Sequence, residues 1–480
     1  MSLFRWRVLA LAVLLSLGHT VSSTAQSITI PPERETARAD SLDLTLREAV
    51  RLAAAFHPGA EAETYRIETE AARAAAQRSG LYPRLSASLS ETGRTFNTAE
   101  FGIDFPTAPD TPPLFDPNGQ VEGPVYAVDA RIRLEADLLN IAERRRIAAA
   151  ESGVEAARAA KAAASERAAA VAAAAYIEAL RAHARVTAIT DDRALASDLL
   201  RIAASQLDAG VGVRLDVTRA EARLAAVSAE LVGAANAEDQ AMLRLQQACG
   251  LSPDAAIRLQ SIENTADNVP GTAAGAAGAG VNTGVAAGLL ADTTALFADA
   301  VDRRADIAAA EQRQNLIRKQ IDATKAERLP ALRVAASDGW IGKNPRYPLN
   351  TWNFSVSLGI PVFDGGVLRH RIREQEARLA TERAMMSDLQ DDIHFSLRRA
   401  VLDLEAALDQ VDAAKVRMDL ADEEVRQAQR RFETGASGNS DVVTAALGLS
   451  SARIGLVNAK TSVVSAEVRL AAIRGLLTQD

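Results

Sequence analysis

The segment Val128–Leu138 reads VDARIRLEADL, and its alternation of apolar and charged side chains decides the fold of the chain. The even positions are apolar, whereas the odd positions include Asp129, Arg131, Arg133 and Glu135. Successive side chains of a β-strand point to opposite faces of a sheet. The segment therefore predicts a strand with one apolar face and one charged face.

A second segment of this kind lies in the other half of the chain. Trp352–Ile360 has apolar even positions and polar odd positions. Leu81–Leu89 and Leu332–Ala336 alternate less completely, so the sequence predicts four strands in two pairs. The polar positions of the second segment include Asn353, Ser355 and Ser357.

The strands allow two interpretations, an amphipathic sheet on a soluble core or the wall of a membrane β-barrel. Strands of a membrane barrel need about 9–11 residues and alternate apolar outward with polar inward. A row of ionisable residues on one face suits a water-filled lumen, which favours the barrel. The predicted lumen-facing residues are Asp129, Arg131, Arg133, Glu135, Asn353, Ser355 and Ser357.

Four strands per chain are too few to close such a barrel. Single-chain membrane barrels start at about 8 strands, and an open sheet edge cannot face lipid. We therefore expect several chains to contribute strands to one barrel.

Long helices are predicted after each strand pair. Leu368–Phe432 contains neither proline nor glycine, and apolar residues recur there at every seventh position. This period indicates helices that supercoil against neighbouring helices. A helix of about 65 residues is about 100 Å long at a rise of 1.5 Å per residue. The matching segment of the first half is Ala148–Leu207, in which alanine occupies much of the seam.

The turns that follow these helices show an internal repeat. Gly210 precedes Asp216 by the same spacing that separates Gly435 from Asp441. Each glycine is expected to end a long helix, so that the chain can reverse into a shorter return helix. Asn439 or the serine after it is expected to cap the second return helix.

This repeat divides the chain into four parts. A charged start, an apolar run and small residues near position 25 predict a secretory signal peptide at residues 1–25. Residues 26–260 form the first repeat, with a helix, a strand pair and a long helical hairpin. Residues 261–291 are rich in glycine and alanine and are interpreted as a linker. Residues 292–480 form the second repeat, with the same order of elements.

Charge and side-chain chemistry argue against several classes of function. The formal net charge of -8 argues against nucleic acid as a partner. Cys249 is the only cysteine, so we expect no intrachain disulfide and no lipid attached after the signal peptide. The histidines lack metal-ligand spacing and no nucleophile–base set is evident. We therefore expect no metal, no cofactor and no enzymatic activity.

The segment Ile360–Gly366, IPVFDGG, lies where a strand passes into a long helix. With Thr45–Val50, Arg304–Ile307 and the two glycine-to-aspartate turns, it resembles the TolC family of outer membrane efflux proteins, in its non-lipidated branch. The resemblance covers essentially the whole predicted mature chain. Leu138–Ile141 departs from it by replacing a Pro-Phe-Asp-Gly type junction, and Ala305 stands where the family usually has proline.

The resemblance implies an α+β membrane protein that works as a homotrimer. Four strands from each chain would form one twelve-stranded barrel in the outer membrane, and the helices would continue as a tunnel through the periplasm, with the linker at its equator. Such a protein is an exit duct for drug efflux or type I secretion, and it works with an inner membrane transporter and a periplasmic adaptor (membrane fusion) protein. The alternative is a periplasmic coiled-coil scaffold or adaptor without a barrel, which leaves the alternating strands unexplained.

The resemblance also assigns roles to the hairpin turns. Asp216 and Asp441 match aspartates that line the closed periplasmic aperture, which predicts a largely closed, cation-preferring pore because crowded carboxylates attract cations. A purely structural role at the start of each return helix stays open. Thr444 stands where some members carry a second aspartate. The residues expected to contact the adaptor are Gly210, Val211, Gly212, Gly435, Ala436 and Ser437.

Overall fold

The computed structural model describes residues 42–101, 119–262, 265, 293–343, 348–434, 436 and 438–478. The predicted signal peptide and most of the predicted linker lie outside these residues. The helices are α1 (Leu46–Phe56), α2 (Pro58–Ser79), α3 (Ile141–Asp208), α4 (Arg214–Cys249), α5 (Thr293–Arg303), α6 (Ala305–Ala326), α7 (Val367–Glu433) and α8 (Asn439–Ile473). The strands are β1 (Leu42–Leu44), β2 (Arg84–Asn97), β3 (Val121–Asn140), β4 (Ile257–Leu259), β5 (Ala331–Gly342) and β6 (Leu349–Gly359).

Four strands form one antiparallel sheet in the order β2-β3-β5-β6. The four predicted strands are thus confirmed, although β2 and β3 extend well beyond the alternating segments. The start of β3 contains Gly123 and Pro124, which a sequence-based assignment reads as a turn. The register shifts between Asp137 and Leu139, so Leu138 lies in a bulge and Leu139 faces the side predicted for Leu138.

Two long helical hairpins extend from the sheet, α3 with α4 and α7 with α8. The helices α3 and α7 have 68 and 67 residues, which confirms the predicted length. Both begin directly after a strand, and each has a polar side chain at its start. The Asn140 side chain accepts a hydrogen bond from the Glu143 N–H, and Asp364 accepts from the N–H groups of Gly366 and Leu368. Asn140 thus caps the start of α3, where the chain lacks the Asp-Gly junction that precedes α7.

The largest core lies where the first hairpin meets α1 and α8. Alanines of α3, among them Ala169 and Ala173, are fully buried there beside Tyr176. Small residues let helix backbones approach closely, and the Tyr176 hydroxyl donates a hydrogen bond to the Leu44 carbonyl at 3.1 Å. Leu44 belongs to β1, which pairs in parallel with β4. The sequence did not predict this pair, because three-residue strands are too short to show alternation.

One described helix, α8, is long and apolar enough to cross a membrane by length and composition. From the sequence we expected no apolar run after the signal peptide long enough to span a bilayer as a helix, and α8 contradicts this expectation. One such helix is weak evidence for a membrane span, and α8 buries Val442 and Leu449 against the other hairpin helices. A core helix of a hairpin has the same composition.

Candidate functional site

The strand register places the predicted lumen-facing residues on one face of the sheet. Arg133 lies opposite Ser337, which lies opposite Asn353. Glu135 is aligned with Ser355 through β5 in the same way. Because alternate residues share a face, Asp129, Arg131 and Ser357 lie on this side too. We call this side the polar sheet face.

Arg131 joins three strands across the polar sheet face. Its guanidinium lies 3.3 Å from Asp129 on β3, and it donates to Ser337 on β5 and to Thr351 on β6 at 3.4 and 3.1 Å. The Arg131 side chain is only 15% exposed. The charge is therefore held by partners within the sheet and does not extend freely into solvent.

The other side of the sheet, which we call the apolar sheet face, exposes large hydrophobic side chains. Leu89, Trp352, Phe354 and Leu358 are between 60 and 78% exposed. A contiguous exposed apolar surface of this kind marks an interaction with lipid or protein. The sheet thus has one apolar face and one polar face.

The turn of the first hairpin projects exposed apolar side chains. Gly210 has a φ of 75°, which ends α3, and the Val211 N–H donates to the Gln206 carbonyl at 3.0 Å. The Val211, Val213 and Leu215 side chains are 79, 58 and 55% exposed. In the second turn Ala436 is exposed, whereas Gly435 and Ser437 lie outside the described residues.

The two turns lie side by side at one end of the molecule. The side-chain amide of Asn439 donates to the Asp216 carbonyl at 2.8 Å, and the Gln206 side chain donates to the Phe432 carbonyl at 3.2 Å. Asn439 is fully buried, and α8 has Gly438 as its N-cap, without a side-chain hydrogen bond. The prediction that Asn439 or Ser440 caps α8 is therefore wrong, because the Asn439 amide connects the hairpins.

The two candidate aperture aspartates differ in environment. Both lie in the first turn of a return helix. The Asp216 side chain is 16% exposed and lies 3.8 Å from Arg219, whereas Asp441 is exposed. Asp216 is therefore partly neutralised, and Asp441 presents the less shielded carboxylate.

A polar junction that the sequence did not predict joins the two repeats near Arg304. The Glu166 carboxylate of α3 accepts a hydrogen bond from the Ala305 N–H at 3.1 Å, and Arg304 donates to the Ile473 carbonyl at 3.0 Å. Burial raises the pKa of Glu166, although the Ala305 N–H and Arg304 favour its charged form. Arg304 also pairs with Asp306. The Arg304–Ile307 motif thus connects α3, α6 and the end of α8.

The amphipathic sheet and the two long hairpins together are the features of a membrane protein with a long helical extension. The family model described as outer membrane efflux protein matches residues 52–251 and 296–476, and the chain belongs to this family. The chain is similar to the outer membrane efflux protein BepC of Brucella suis, with 26% identity over 70% of this chain and 69% of BepC.

Solved structures of two outer membrane proteins share the fold. VceC of Vibrio cholerae gives a TM-score of 0.67 at 19% identity, over 90% of this chain and 96% of VceC. The CmeC channel of Campylobacter jejuni gives 0.68 at 15% identity, over 94% of this chain and 92% of CmeC. As a member of the outer membrane efflux protein family, the protein is an outer membrane efflux channel that extends into the periplasm.

Proposed function

We propose that three copies of the chain close one twelve-stranded barrel, with the apolar sheet face toward lipid and the polar sheet face toward the lumen. The observation that carries this proposal is the four-stranded sheet, in which β2 and β6 are edge strands. Unpaired edges cannot face hydrocarbon, so each β6 has to pair with the β2 of the next copy. The lumen would then be lined by Asp129, Arg131, Arg133, Glu135, Asn353, Ser355 and Ser357.

The hairpins would continue the barrel as a tunnel toward the inner membrane, where the protein works with a transporter and a periplasmic adaptor. The exposed Val211 at the first turn supports adaptor contact there, because an apolar tip is suited to bury surface against a partner. The remaining proposed contacts are Gly210, Gly212, Gly435, Ala436 and Ser437. Drug efflux and type I secretion both fit such a duct.

At the closed end, Asp216 and Asp441 of three copies would form a ring of carboxylates. The Asn439 hydrogen bond supports this arrangement, because it holds the starts of α4 and α8 together. Asp441 would contribute more to cation preference than Asp216, since Arg219 lies beside the latter.

Planar-bilayer conductance tests the ring. An Asp216→Ala, Asp441→Ala double variant is expected to lose most of the preference for cations, because the local negative potential is removed. Thr444→Asp is expected to increase it. Asp239→Ala, which removes an exposed carboxylate farther along α4, is the matched control. Unchanged selectivity in the double variant would exclude the ring.

The runner-up, a periplasmic scaffold or adaptor without a barrel, is not favoured. It leaves the exposed apolar sheet face without a function, and the family to which the chain belongs consists of outer membrane efflux proteins. The members of that family are channels and not enzymes.

A further inference from the structure

A groove of about 570 Å³ lies at the junction of β6 and α7, where the sheet passes into the helices. One part of its lining is apolar and the other is charged. Its apolar residues are Pro361, Val362, Phe363, Val367 and Leu368, and its charged residues are Glu327, Arg328, Asp364, Arg369 and Arg371.

The apolar part continues the apolar sheet face. Leu358 and Ile360 are 61 and 56% exposed at the end of that face, and Val362 and Phe363 beyond them are 93 and 89% exposed. Side chains of this size are rarely left in water without a binding role. Because the two apolar surfaces are continuous, the molecules that cover the apolar sheet face should also cover the groove.

The charged part has an excess of guanidinium groups. The Glu327 carboxylate forms salt bridges with two arginines, Arg146 and Arg371, each with a nitrogen–oxygen distance of 2.8 Å. The Asp364 carboxylate accepts hydrogen bonds from backbone N–H groups of its own turn. These hydrogen bonds, together with the nearby charge of Arg328, lower the pKa of Asp364. Arg328 and Arg369 are exposed, and neither forms a salt bridge with a described residue. The groove thus has spare positive charge beside an apolar surface.

We propose that this groove binds the phosphodiester headgroup of an anionic phospholipid in the periplasmic leaflet of the outer membrane. Arg328 and Arg369 would hold the phosphate, since guanidinium groups match phosphate oxygens bidentately. Val362 and Phe363 would contact the upper acyl chain. The inference rests on the proposed function, in which the apolar sheet face meets lipid and the groove lies at the headgroup level below it.

A second copy of the chain is the other possible occupant, and charge argues against it. If β6 pairs with β2 of the next copy, the junction before β2 approaches the groove. Between Gln77 and Ser90 that junction contains Arg78 and Arg84 and no acidic residue. The acidic side chains packed against that junction, Glu143 and Glu151, already pair with Arg146 and Arg78 of their own copy. That surface therefore has little negative charge to offer Arg328 and Arg369, whereas a phosphate does.

Native mass spectrometry of the detergent-solubilised trimer tests the proposal, with phosphatidylglycerol as the probe and phosphatidylcholine as the zwitterionic comparison. The wild type is expected to retain phosphatidylglycerol selectively. Arg328→Ala, Arg369→Ala should reduce this retention at least tenfold, and Arg328→Lys, Arg369→Lys should keep much of it. The matched control is Arg398→Ala, Arg399→Ala, which removes two exposed arginines elsewhere on α7.

Equal retention of both lipids by the wild type would overturn the proposal, and so would unchanged retention of phosphatidylglycerol in the double alanine variant. A third contrary outcome is a wild type that binds no lipid, combined with a double alanine variant whose trimer dissociates. The last outcome would assign the groove to the next copy. Failure of the wild type to form trimers or channels would instead contradict the proposed function, so the two failures are distinguishable.

Discussion

At the scale of single residues, a buried ion pair joins the two repeats. Asp192 of α3 and Arg453 of α8 lie 2.7 Å apart, and their side chains are 2 and 24% exposed. A charged side chain is tolerated in this buried position because it contacts a side chain of opposite charge. Removing one partner leaves the other charge buried without compensation.

We expect Arg453→Ala, which leaves the Asp192 carboxylate buried without its partner, to destabilise the protein by about 3 kcal/mol, a value typical of breaking a buried pair. Thermal unfolding followed by circular dichroism measures the effect. Arg469→Ala is the matched control, because Arg469 pairs with Asp403 where both side chains are largely exposed, at 57 and 42%. Such a pair contributes roughly 0–1 kcal/mol. Equal losses in the two variants would contradict the interpretation.

At the scale of elements, α7 carries two apolar series with different surroundings. One series, which includes Leu397, Leu404 and Val425, is buried within the chain. The other series remains exposed, although its members are also spaced along one helix. Its members are Phe395, Leu402, Val416 and Leu420, at 72, 51, 60 and 68% exposure.

We expect this exposed series to lie against a neighbouring copy. Leu402→Ala, Val416→Ala should lower the temperature at which the trimer dissociates while leaving the helix content unchanged. Burial of such a side chain contributes about 1.5–3 kcal/mol, so the loss should be readily measured. Gln410→Ala, an exposed polar position on the same helix, is the control. A midpoint equal to that of the wild type would place the series outside any subunit interface.

At the scale of the whole molecule, the described sheet has two edges and two unlike faces. Neither edge can remain unpaired in lipid. In the proposed barrel, closure between copies would satisfy both edges at once, because β6 of one copy would pair with β2 of the next. The unpaired edges of the sheet are thus the reason for proposing an oligomer.

Cysteine crosslinking tests this closure in a Cys249→Ser background. Ser86→Cys on β2 combined in turn with Asn353→Cys, Ser355→Cys or Ser357→Cys on β6 should give a disulfide-linked trimer in one register. Neighbouring strands lie about 4.8 Å apart, within the reach of a disulfide. The pair Ser86→Cys, Ser337→Cys is the control, because β3 separates those positions within one chain. Only monomers at every register would contradict the closed barrel.

Much of this architecture was predictable because it is periodic. The alternation around Arg131 predicted the strands, and the seven-residue period of α7 predicted a helix that ends within one residue of Phe432. The predictions failed where contacts with a distant segment of the chain decide the position of a residue. Asn439 is a residue type that often caps helices, but here it is buried against Asp216. Leu138 continues the apolar alternation, but it lies in a bulge.

The sequence by itself determined the long helices, the four long strands and the faces of those strands, because side-chain periodicity is a local property of the chain. Only the tertiary structure showed that Asn439 bonds the two hairpin turns, that Asp192 pairs with Arg453, and that Arg328 lies beside Phe363 in one groove. These contacts join residues from separate helices and turns, and no local spacing encodes them. The alternation of Val128–Leu138 predicted a sheet with one polar and one apolar face, and the tertiary structure showed how its four strands pair.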